Sequence, residues 1–486
     1  MSATSGPPIA ILGVPFDNVT TRQTVAIIGE MIASGRAHYL ATANVDFTVQ
    51  AMKDPELQRI LLDAHLVVCD GMPLVWASRW LGNPLPERVA GSDLVPLLLR
   101  VAEEKGYRVF FLGGDEEVAR TAVAKVGEKH PGLCISGHYS PPFAPLLKMD
   151  HADICRRIRE AGTDLLFVSF GCPKQEKWIA MNYRKTGAAV SMGVGATIDF
   201  LAGQVKRAPR WMQATGLEWV YRLCQEPKRL FRRYMVDLRI FGVAILVQLW
   251  HLRRRPVGPS AGNVPPVPVP TPANEAGDGT VIELRGRVDA AVVREHQDEW
   301  LAATAAATAG LLVDCSAVEF LDSSGAGLLV RLQKTCRAVA HPLALVAPSP
   351  SVLKALNLMH LTSSFDLAGD VAEGRALLAK RFEEVRSPLA AGTEPGEVAW
   401  QGEVTASSTE ALWQAASGVI ETLEVGAALV ISLAAVRFID STGACLMIRL
   451  KKLARRKDVR LVFRDPVEAV RAVIRLLKLE AYLLEP

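Results

Sequence analysis

The sequence contains an internal repeat, and this repeat limits what the C-terminal half can fold into. Residues 311–334 (LLVDCSAVEFLDSSGAGLLVRLQK) align with residues 429–452 (LVISLAAVRFIDSTGACLMIRLKK), so that Asp322 and Asp440 stand 118 positions apart. In each copy an apolar strand runs through Asp-Ser-Ser/Thr-Gly into an amphipathic helix, and a further strand and helix follow. The pattern predicts two copies of one small α/β sandwich domain.

Two segments that lack a core-forming composition divide the chain. Residues 256–279 are dominated by Pro, Gly, Ala and Ser, which favours a semi-rigid, partly polyproline linker. The segment 387–396 (SPLAAGTEPG) is a weaker break of the same kind. A length of 486 residues fits three domains at roughly 100–200 residues each. The predicted domains are 1–255, 280–386 and 397–486.

The composition excludes several classes of protein. Half of the residues are hydrophobic and 22% are charged, which is unlike a disordered or fibrous chain. Residues 1–15 lack a basic segment followed by a long apolar run, so we expect no signal peptide and a cytoplasmic protein. The eight cysteines form no Cys-x-x-Cys pair, so the sequence predicts neither a disulfide framework nor a zinc site. We expect no metal and no cofactor.

The first 250 residues alternate short apolar runs with longer segments of helical periodicity. This alternation predicts a mainly parallel, Rossmann-like sheet, in which ligands bind beyond the carboxyl ends of the strands. Paired glycines at such ends allow the backbone to approach a pyrophosphate, although they can also simply form turns. We expect the residues at the strand ends to converge on one crevice. They are Thr42, Asn44, Asp70, Gly71, Gly113, Gly114, Gly171, Gln175 and Gly193.

A strongly basic arm, about 204–255, follows these strands. The formal net charge of the chain is +4, but residues 206–255 contain twelve Lys or Arg against three acidic residues. Such a segment indicates a polyanionic partner: nucleic acid, a phosphorylated ligand or anionic lipid. Because the sequence matches no nucleic-acid-binding motif, we expect no nucleic-acid partner. The apolar run 240–250 is shorter than the ~20 residues of a spanning helix and is typical of an interfacial one.

Six motifs occur together and in order in the first half of the chain. They are TANVDF (42–47), CDGMP (69–73), ERVAGSDL (87–94), FGCPKQEKWI (170–179), GVGATIDFLAG (193–203) and RAPRWMQATGLEWVYRL (207–223). With them, residues 8–235 resemble the WecB/TagA/CpsF glycosyltransferases. The resemblance implies an inverting, metal-independent enzyme of surface-polysaccharide synthesis in the cell envelope. It would move an N-acetylmannosamine-type or related hexose from a UDP-sugar to a polyprenyl-diphosphate-linked sugar at the cytoplasmic face of the plasma membrane.

The resemblance also implies catalytic roles. Asp70 would be the general base, since a carboxylate at a strand end can take the proton of the acceptor hydroxyl; the alternative is an aspartate that shapes the turn before Gly71. Arg88 would balance the charge that develops on the departing UDP, unless it only pairs with Glu87 or Asp93. The sequence contains no Asp-x-Asp motif, which agrees with metal independence.

Further residues match the motifs of the family. Thr42 and Gln175 would line the catalytic pocket by hydrogen bonding. The basic arm would contact the membrane and complete the site, with three arginines on the diphosphate; the alternative is a solvated basic face. The substrate-binding candidates are Asn44, Gly71, Ser92, Gly113, Gly114, Gly171, Gly193, Arg222, Arg229 and Arg232.

Both copies of the repeat carry the pattern of a second family. FLDSSGAGLL (320–329) and FIDSTGACLM (438–447) resemble the signature of STAS domains, the anti-sigma-factor-antagonist fold. In that family a kinase can phosphorylate the second hydroxyl of the signature and so switch binding, which makes Ser324 and Thr442 phosphorylation candidates. The partner would be a Ser/Thr kinase or an anti-sigma-like protein. The alternative is that each hydroxyl only caps its helix.

Two functions fit these patterns. The first is a sugar transferase regulated through its STAS modules. The second is a catalytically inactive scaffold that recruits signalling partners through the repeats. The joint presence of Thr42, Asp70, Arg88 and Gln175 favours the enzyme. We also expect the modules to be dispensable, so that deletion of residues 256–486 leaves activity and membrane binding intact.

Overall fold

The computed structural model describes residues 6–205, 207–209, 211–212, 217–225, 227–253, 279–391 and 397–484. Within these ranges the chain forms three α/β units, which we call the N-terminal domain, the first module and the second module. The α/β class predicted from the sequence is confirmed. Most of the predicted linker, 256–278, lies outside the described residues.

The N-terminal domain is built on a parallel sheet. Its strands are β1 (Gly6–Ile11), β2 (Val14–Asn18), β3 (His38–Ala43), β4 (Leu66–Cys69), β5 (Val109–Gly113), β6 (Ile135–Tyr139), β7 (Leu165–Ser169) and β8 (Val190–Gly193). Six of them form one sheet in the order β4-β3-β8-β7-β5-β6, with all neighbours parallel. The other two, β1 and β2, pair as an antiparallel hairpin. Helices cover both faces of the large sheet, so every residue of β4 and β5 is buried.

The helices of this domain begin where the sequence supplies caps. They are α1 (Thr21–Ala33), α2 (Val45–Ala51), α3 (Pro55–Asp63), α4 (Met72–Trp80), α5 (Gly91–Lys105), α6 (Glu116–Lys129), α7 (His151–Glu160), α8 (Lys174–Asn182), α9 (Thr197–Leu201), α10 (Glu218–Gln225) and α11 (Pro227–Arg253). Asp54 and Asp115 accept hydrogen bonds from the first free N–H groups of α3 and α6. The last two helices belong to the basic arm.

The first module is a four-stranded parallel sheet with helices against it. Its elements are β9 (Thr280–Val288), α12 (Ala290–Ala306), β10 (Leu311–Leu321), α13 (Ser323–Ala338), β11 (Leu343–Val346), α14 (Pro350–Leu358), β12 (Asp366–Ala368) and α15 (Val371–Arg386). The strand order is β12-β11-β10-β9. The strand that the sequence predicted after the signature helix is therefore present as β11.

The second module repeats the first three strands of this plan but has its fourth strand at the opposite edge of the sheet. Its elements are β13 (Leu389–Ala391), β14 (Glu397–Val404), α16 (Thr409–Thr422), β15 (Ala428–Ile439), α17 (Ser441–Arg456), β16 (Arg460–Arg464), α18 (Glu468–Leu476) and α19 (Glu480–Leu484). The order is β13-β14-β15-β16, and β13 runs antiparallel to β14. Part of the segment expected as a linker is thus an edge strand, because its residues hydrogen-bond along the free edge of β14.

The first module shares a hydrophobic core with the N-terminal domain. Ala10 and Leu62 pack within the cluster formed by the first module's own strands and by α13. Gly327 on α13 lies against the hairpin backbone, where an added Cβ would come within 2.9 Å of the Pro8 carbonyl oxygen. Arg331 reaches Asp17 at 3.0 Å. Contrary to our expectation of a dispensable module, its removal would uncover apolar surface of the N-terminal domain.

The second module touches the N-terminal domain mainly through polar groups. Among the described residues, its core cluster contains no member from outside the module itself. Arg59 on α3 donates to both carboxylate oxygens of Glu403, at 3.1 and 2.8 Å, and pairs with Asp63 at 2.6 Å. Arg337 of the first module also reaches Asp63, at 2.8 Å. All three units therefore meet at one ionic junction.

Candidate active site

The carboxyl ends of β3 and β4 bring four of the predicted site residues together. Thr42 lies at the end of β3, and the Asn44 side chain caps α2. Asp70 follows β4 directly, and its N–H donates to the Ala43 carbonyl at 2.9 Å. Gly71 begins α4 close to Asn44, since an added Cβ would lie 3.9 Å from the Asn44 Cα. The structure thus places these four residues together at the edge of the sheet where the sequence predicts the site.

Asp70 is half-buried at this end of the sheet. Its Oδ2 accepts a hydrogen bond from the Gly91 N–H at 3.3 Å. Burial raises the pKa of Asp70 to about 6, although Arg88 and the Gly91 N–H act in the opposite direction. A carboxyl group with this pKa is mostly ionised at neutral pH and can still accept a proton. Its position and its pKa both suit a general base.

Arg88 belongs to a network of two cations and two anions. It pairs with Glu218 at 2.9 Å and with Asp93 at 3.0 Å. Arg207 completes the network by pairing with Asp93 at 2.6 Å and approaching Glu218 at 3.6 Å. It also donates to the Ser92 carbonyl at 3.4 Å. Because Glu218 and Arg207 come from the arm, the network ties the arm to α5.

The sequence left open that Arg88 only pairs with Glu87 or Asp93, and one of these two ion pairs is present. Its pairing with Asp93 is present, but Glu87 instead accepts from the Thr21 N–H at 2.5 Å. The Arg88 and Glu218 side chains are only 14% and 11% exposed, so the pair is not a solvated surface contact. Breaking this largely buried ion pair therefore costs more free energy than breaking an exposed one.

The three arginines predicted to bind diphosphate occupy different places along the arm. Arg222 on α10 is close enough to Asp70 to lower its pKa, and its guanidinium carbon lies 4.8 Å from the centre of the Phe200 ring. Arg232 is exposed on α11. Arg229 also belongs to α11, but its side chain lies outside the described residues. The structure therefore brings Arg222 to the crevice.

Glycines follow β5 and β7 at the same edge of the sheet. Gly113 has a φ of +91°, and an added Cβ would lie 2.6 Å from the Phe170 ring. Gly114 and Gly171 also have positive φ, but an added Cβ at Gly171 would meet no heavy atom within 4 Å. Gly113 is thus required by packing as well as by conformation. Gly171 leaves open space beside the strand end.

Gln175 holds two of these loops together. Its Oε1 accepts from the Gly171 N–H at 3.1 Å and from the Gly195 N–H at 3.2 Å, while its Nε2 donates to Glu176 Oε1 at 2.7 Å. Gly193 permits this arrangement, since an added Cβ would lie 2.5 Å from Gln175 Nε2. The Gln175 amide is therefore used within the protein, where it positions the loops of the crevice.

Comparison with known proteins identifies the N-terminal half. Residues 9–255 match the sequence profile of the glycosyl transferase WecG/TagA/CpsF family. The chain belongs to this family. A relative from Staphylococcus aureus (strain MW2), an N-acetylglucosaminyldiphosphoundecaprenol N-acetyl-beta-D-mannosaminyltransferase, is 30% identical over 238 residues, which cover 49% of this chain and 92% of the relative. The enzyme of the same name from Bacillus subtilis (strain 168) is 35% identical over 208 residues, 43% of this chain and 78% of that one.

The two modules match a second profile, that of the Mlab STAS domain, at residues 273–368 and 389–485. A solved anti-sigma-factor antagonist (STAS) domain protein from Planctomyces limnophilus is 26% identical and covers 22% of this chain and 95% of that one, with a TM-score of 0.20. That score is too low for a comparison of folds. The profile match confirms the predicted resemblance of both modules to STAS domains.

Some residues at the crevice of this WecG/TagA/CpsF-family chain were not singled out from the sequence. Glu176 is 5% exposed, and desolvation raises its pKa to about 7. Glu218 and Arg207 join Asp93, which the sequence did offer, in the network around Arg88. Glu176, Glu218 and Arg207 all lie inside the motifs that carry the resemblance, so the motifs were the available signal. Their charges gave no indication of which residues face one another.

The long helix of the arm is apolar on two sides. Leu230, Phe241 and Ile245 are buried, and Gln248 Nε2 donates to the Ala10 carbonyl at 3.2 Å. Part of the run 240–250 therefore packs on the domain instead of facing a membrane. The other side forms a shallow groove of about 670 Å³. Its lining residues are Trp80, Val243, Leu246, Val247, Leu249 and Trp250.

The hydroxyls of the STAS signatures do not cap their helices. Asp322 and Asp440 are the caps, and each accepts from the next two N–H groups along its helix. The capping alternative for Ser324 and Thr442 is therefore wrong. Ser324 is fully buried and Thr442 is 8% exposed. Neither phosphorylation candidate is open to solvent in this arrangement.

Proposed function

We propose that the chain transfers an N-acetylmannosamine-type or related hexose from a UDP-sugar to a polyprenyl-diphosphate-linked sugar, with inversion and without a metal. The observation that carries the proposal is the position of Asp70, a half-buried carboxyl beside Thr42, Asn44 and the Gly91 N–H. The names of the Staphylococcus aureus and Bacillus subtilis relatives support the sugar and the lipid-diphosphate acceptor.

The reaction is a direct displacement at the anomeric carbon of the donor sugar. The acceptor hydroxyl oxygen forms the new bond to that carbon as the bond to the UDP oxygen breaks, which inverts the carbon. Asp70 takes the hydroxyl proton, and its pKa of about 6 suits that role at neutral pH. Thr42 and Asn44 both lie at the end of β3, next to Asp70, where they can orient the acceptor.

The departing UDP gains negative charge that the site has to balance. Arg222 lies near Asp70, and Arg88 lies in the adjacent ionic network. The open space beside Gly171 leaves room for a diphosphate at the strand end. Metal independence rests on these cations and on the absence of Asp-x-Asp from the sequence.

The arm would hold the enzyme at the cytoplasmic face of the membrane. Trp80, Val243 and Leu246 are 60%, 60% and 64% exposed, so they present a continuous apolar surface beside a basic segment. Such a combination favours insertion into the headgroup region of an anionic bilayer. Within the described part of the chain, no helix is both long and apolar enough to cross a bilayer.

The decisive experiment is UDP release from a panel of UDP-sugars with a short-chain polyprenyl-diphosphate-linked N-acetylglucosamine as acceptor. We expect turnover with at least one donor, and Asp70→Asn should lower kcat by about 10²–10⁴-fold, the usual contribution of a general base. A folded Asp70→Asn protein with wild-type turnover would exclude the base assignment. Turnover lost in EDTA and restored by magnesium would exclude metal independence, and no turnover with any donor would favour the scaffold.

A further inference from the structure

The signature loop of the second module binds a carboxylate of the N-terminal domain. The Ser441 N–H donates to Glu56 Oε1 at 2.6 Å, and the Ser441 hydroxyl donates to Glu56 Oε2 at 2.9 Å. Glu56 is 1% exposed and Ser441 is fully buried. Both oxygens of a buried carboxylate are thus bound by one residue at the start of α17. The positive end of that helix faces the negative charge.

Glu56 is held from its other side by α8. Lys177 lies 2.8 Å from Glu56 and 2.7 Å from Asp54. Its side chain is only 9% exposed, so the ion pair is largely withdrawn from water. Charged groups that are buried in this way are stable only while each of them keeps its partners of opposite charge or its hydrogen bonds. The second module supplies two of the partners of Glu56.

Two residues before Lys177, the same helix carries the residue that organises the crevice. Gln175 binds the N–H groups of Gly171 and Gly195, which follow β7 and β8. The path from Ser441 to these loops therefore runs through Glu56 on α3 and Lys177 on α8. A contact that holds Glu56, and through it Lys177, is in a position to affect the loops that Gln175 binds.

The first module makes no such contact, although its signature is nearly identical. Its corresponding residue, Ser323, is 1% exposed, and its hydroxyl has no hydrogen-bond partner among the described residues. The Asp322 cap there accepts from Ala290 of its own module at 3.3 Å. Binding of a carboxylate is thus specific to the second module and does not follow from the signature alone.

We propose that the second module is a reversible clamp on α3 and, through Lys177, on α8: Ser441 holds Glu56, and the closed clamp raises the rate of sugar transfer by holding the Gln175 loops in place. The proposal rests on the proposed function for its effect on rate, but the contact itself does not depend on it. Because this interface is polar, the module can detach at a smaller cost than a unit that shares a hydrophobic core. Glu56 and Lys177 act as positioning residues.

The test uses the full chain with Ser441→Glu, which places a second carboxylate against Glu56. Amide hydrogen exchange in 170–182 should become faster, while β15 inside the second module should stay protected. The kcat for UDP release should fall roughly 5-fold or more, the usual lower limit of coupling between sites, with little change in KM for the UDP-sugar. The matched control is Ser407→Glu, an exposed position of the same module, which should behave as the wild type.

A rescue and a second variant separate the clamp from a folding defect. Glu56→Gln in the Ser441→Glu background removes the repulsion and should restore slow exchange in α8. Glu56→Ala leaves the second module unaltered and should open the clamp from the other side. Unchanged exchange in α8 for both Ser441→Glu and Glu56→Ala, or no rescue by Glu56→Gln, would overturn the proposal. If the wild type transfers no sugar at all, the exchange result still decides the clamp, and only the proposed function fails.

Discussion

The two STAS modules carry almost the same signature but are attached to the N-terminal domain in opposite ways. The first contributes to a shared hydrophobic core that includes Ala10 and Leu62. The second is held by charges and hydrogen bonds, such as Arg59 to Glu403 and Ser441 to Glu56. The first copy of the fold is therefore built into the N-terminal domain, whereas the second copy is attached to it in a way that allows release.

A single position in the repeat illustrates the difference. Gly327 in the first module aligns with Cys445 in the second. At Gly327 the helix lies so close to the hairpin that an added Cβ would be 2.9 Å from the Pro8 carbonyl oxygen. At Cys445 a side chain is accommodated and half-buried. Close backbone contact favours permanent packing, whereas side-chain contact at a polar interface allows release.

The largest effect should come from removing the modules. Deletion of residues 256–486 uncovers the apolar surface around Ala10 and Leu62, so we expect soluble yield to fall several-fold or more. Deletion of residues 389–486 alone should leave a soluble protein with a cooperative thermal transition. Both are measured by soluble yield and circular dichroism. A well-folded fragment of residues 1–255 would show that the shared core is dispensable.

The sequence predicted the parts of the fold that depend on local pattern. Strand-end residues such as Asp70 and Asn44 could be located because periodicity and motif order place them at one edge of a parallel sheet. The interfaces could not be predicted, because they depend on which surfaces are complementary in three dimensions. Glu56 looks like an ordinary acidic residue in the first turn of a helix, and Gly327 like an ordinary small residue. Only the Gly327–Cys445 difference between the repeats hinted that the two copies pack differently.

In the candidate active site, too, the sequence predicted residues but not their contacts. The motifs supplied Gln175 as a pocket residue, but only the structure shows its amide bound to the Gly171 and Gly195 N–H groups. Likewise, the sequence offered Glu87 and Asp93 as partners of Arg88 and did not suggest Glu218, which is 130 positions away. A long-range ion pair leaves no trace in periodicity or spacing.

The second-largest effect should come from substitutions at the aligned positions Gly327 and Cys445. Gly327→Ala should destabilise the protein by about 1–3 kcal/mol, since the new methyl group meets backbone that cannot move without breaking the hairpin. Cys445→Ala should cost less than about 1 kcal/mol because it only shortens a half-buried side chain. The Tm values of the two variants measure the difference. Equal shifts would mean that the first interface is no tighter than the second.

Acidity should affect the second module more than the first. Desolvation, followed by the charge of Glu56 across the interface, raises the pKa of Asp440 to about 7. A raised carboxyl pKa makes the docked state bind a proton more readily than the released state, so docking weakens as pH rises from about 4 towards 7. In the first module desolvation raises the pKa of Asp322 to about 6, and the charge that adds to this shift is Asp289 of the same module.

We therefore expect exchange in α8 to be roughly two- to tenfold faster at about pH 8 than at about pH 5.5, after correction for the intrinsic rate. The hairpin β1–β2, which the first module covers, should show a smaller change. Asp440→Asn is the matched control, because asparagine still caps the helix but carries no charge. Its exchange in α8 should lose most of the pH dependence. A pH dependence that persists in this variant would assign the effect to another group.

Salt should give the smallest effect and should separate the two interfaces by their chemistry. The second module is held by Arg59–Glu403, whose side chains are 20% and 27% exposed, so dissolved ions can reach this pair. At about 1 M salt the Debye length falls to about 3 Å, which screens such a pair but leaves a hydrophobic core intact. Raising the salt from about 0.1 M to 1 M should therefore increase exchange in α8 by roughly two-fold and leave β1 unchanged, since exposed pairs contribute only about 0.2–1 kcal/mol.

Sodium chloride is the appropriate salt, because sulfate would strengthen apolar burial at the same time. Equal changes at α8 and β1 would mean that both modules are attached by the same kind of contact.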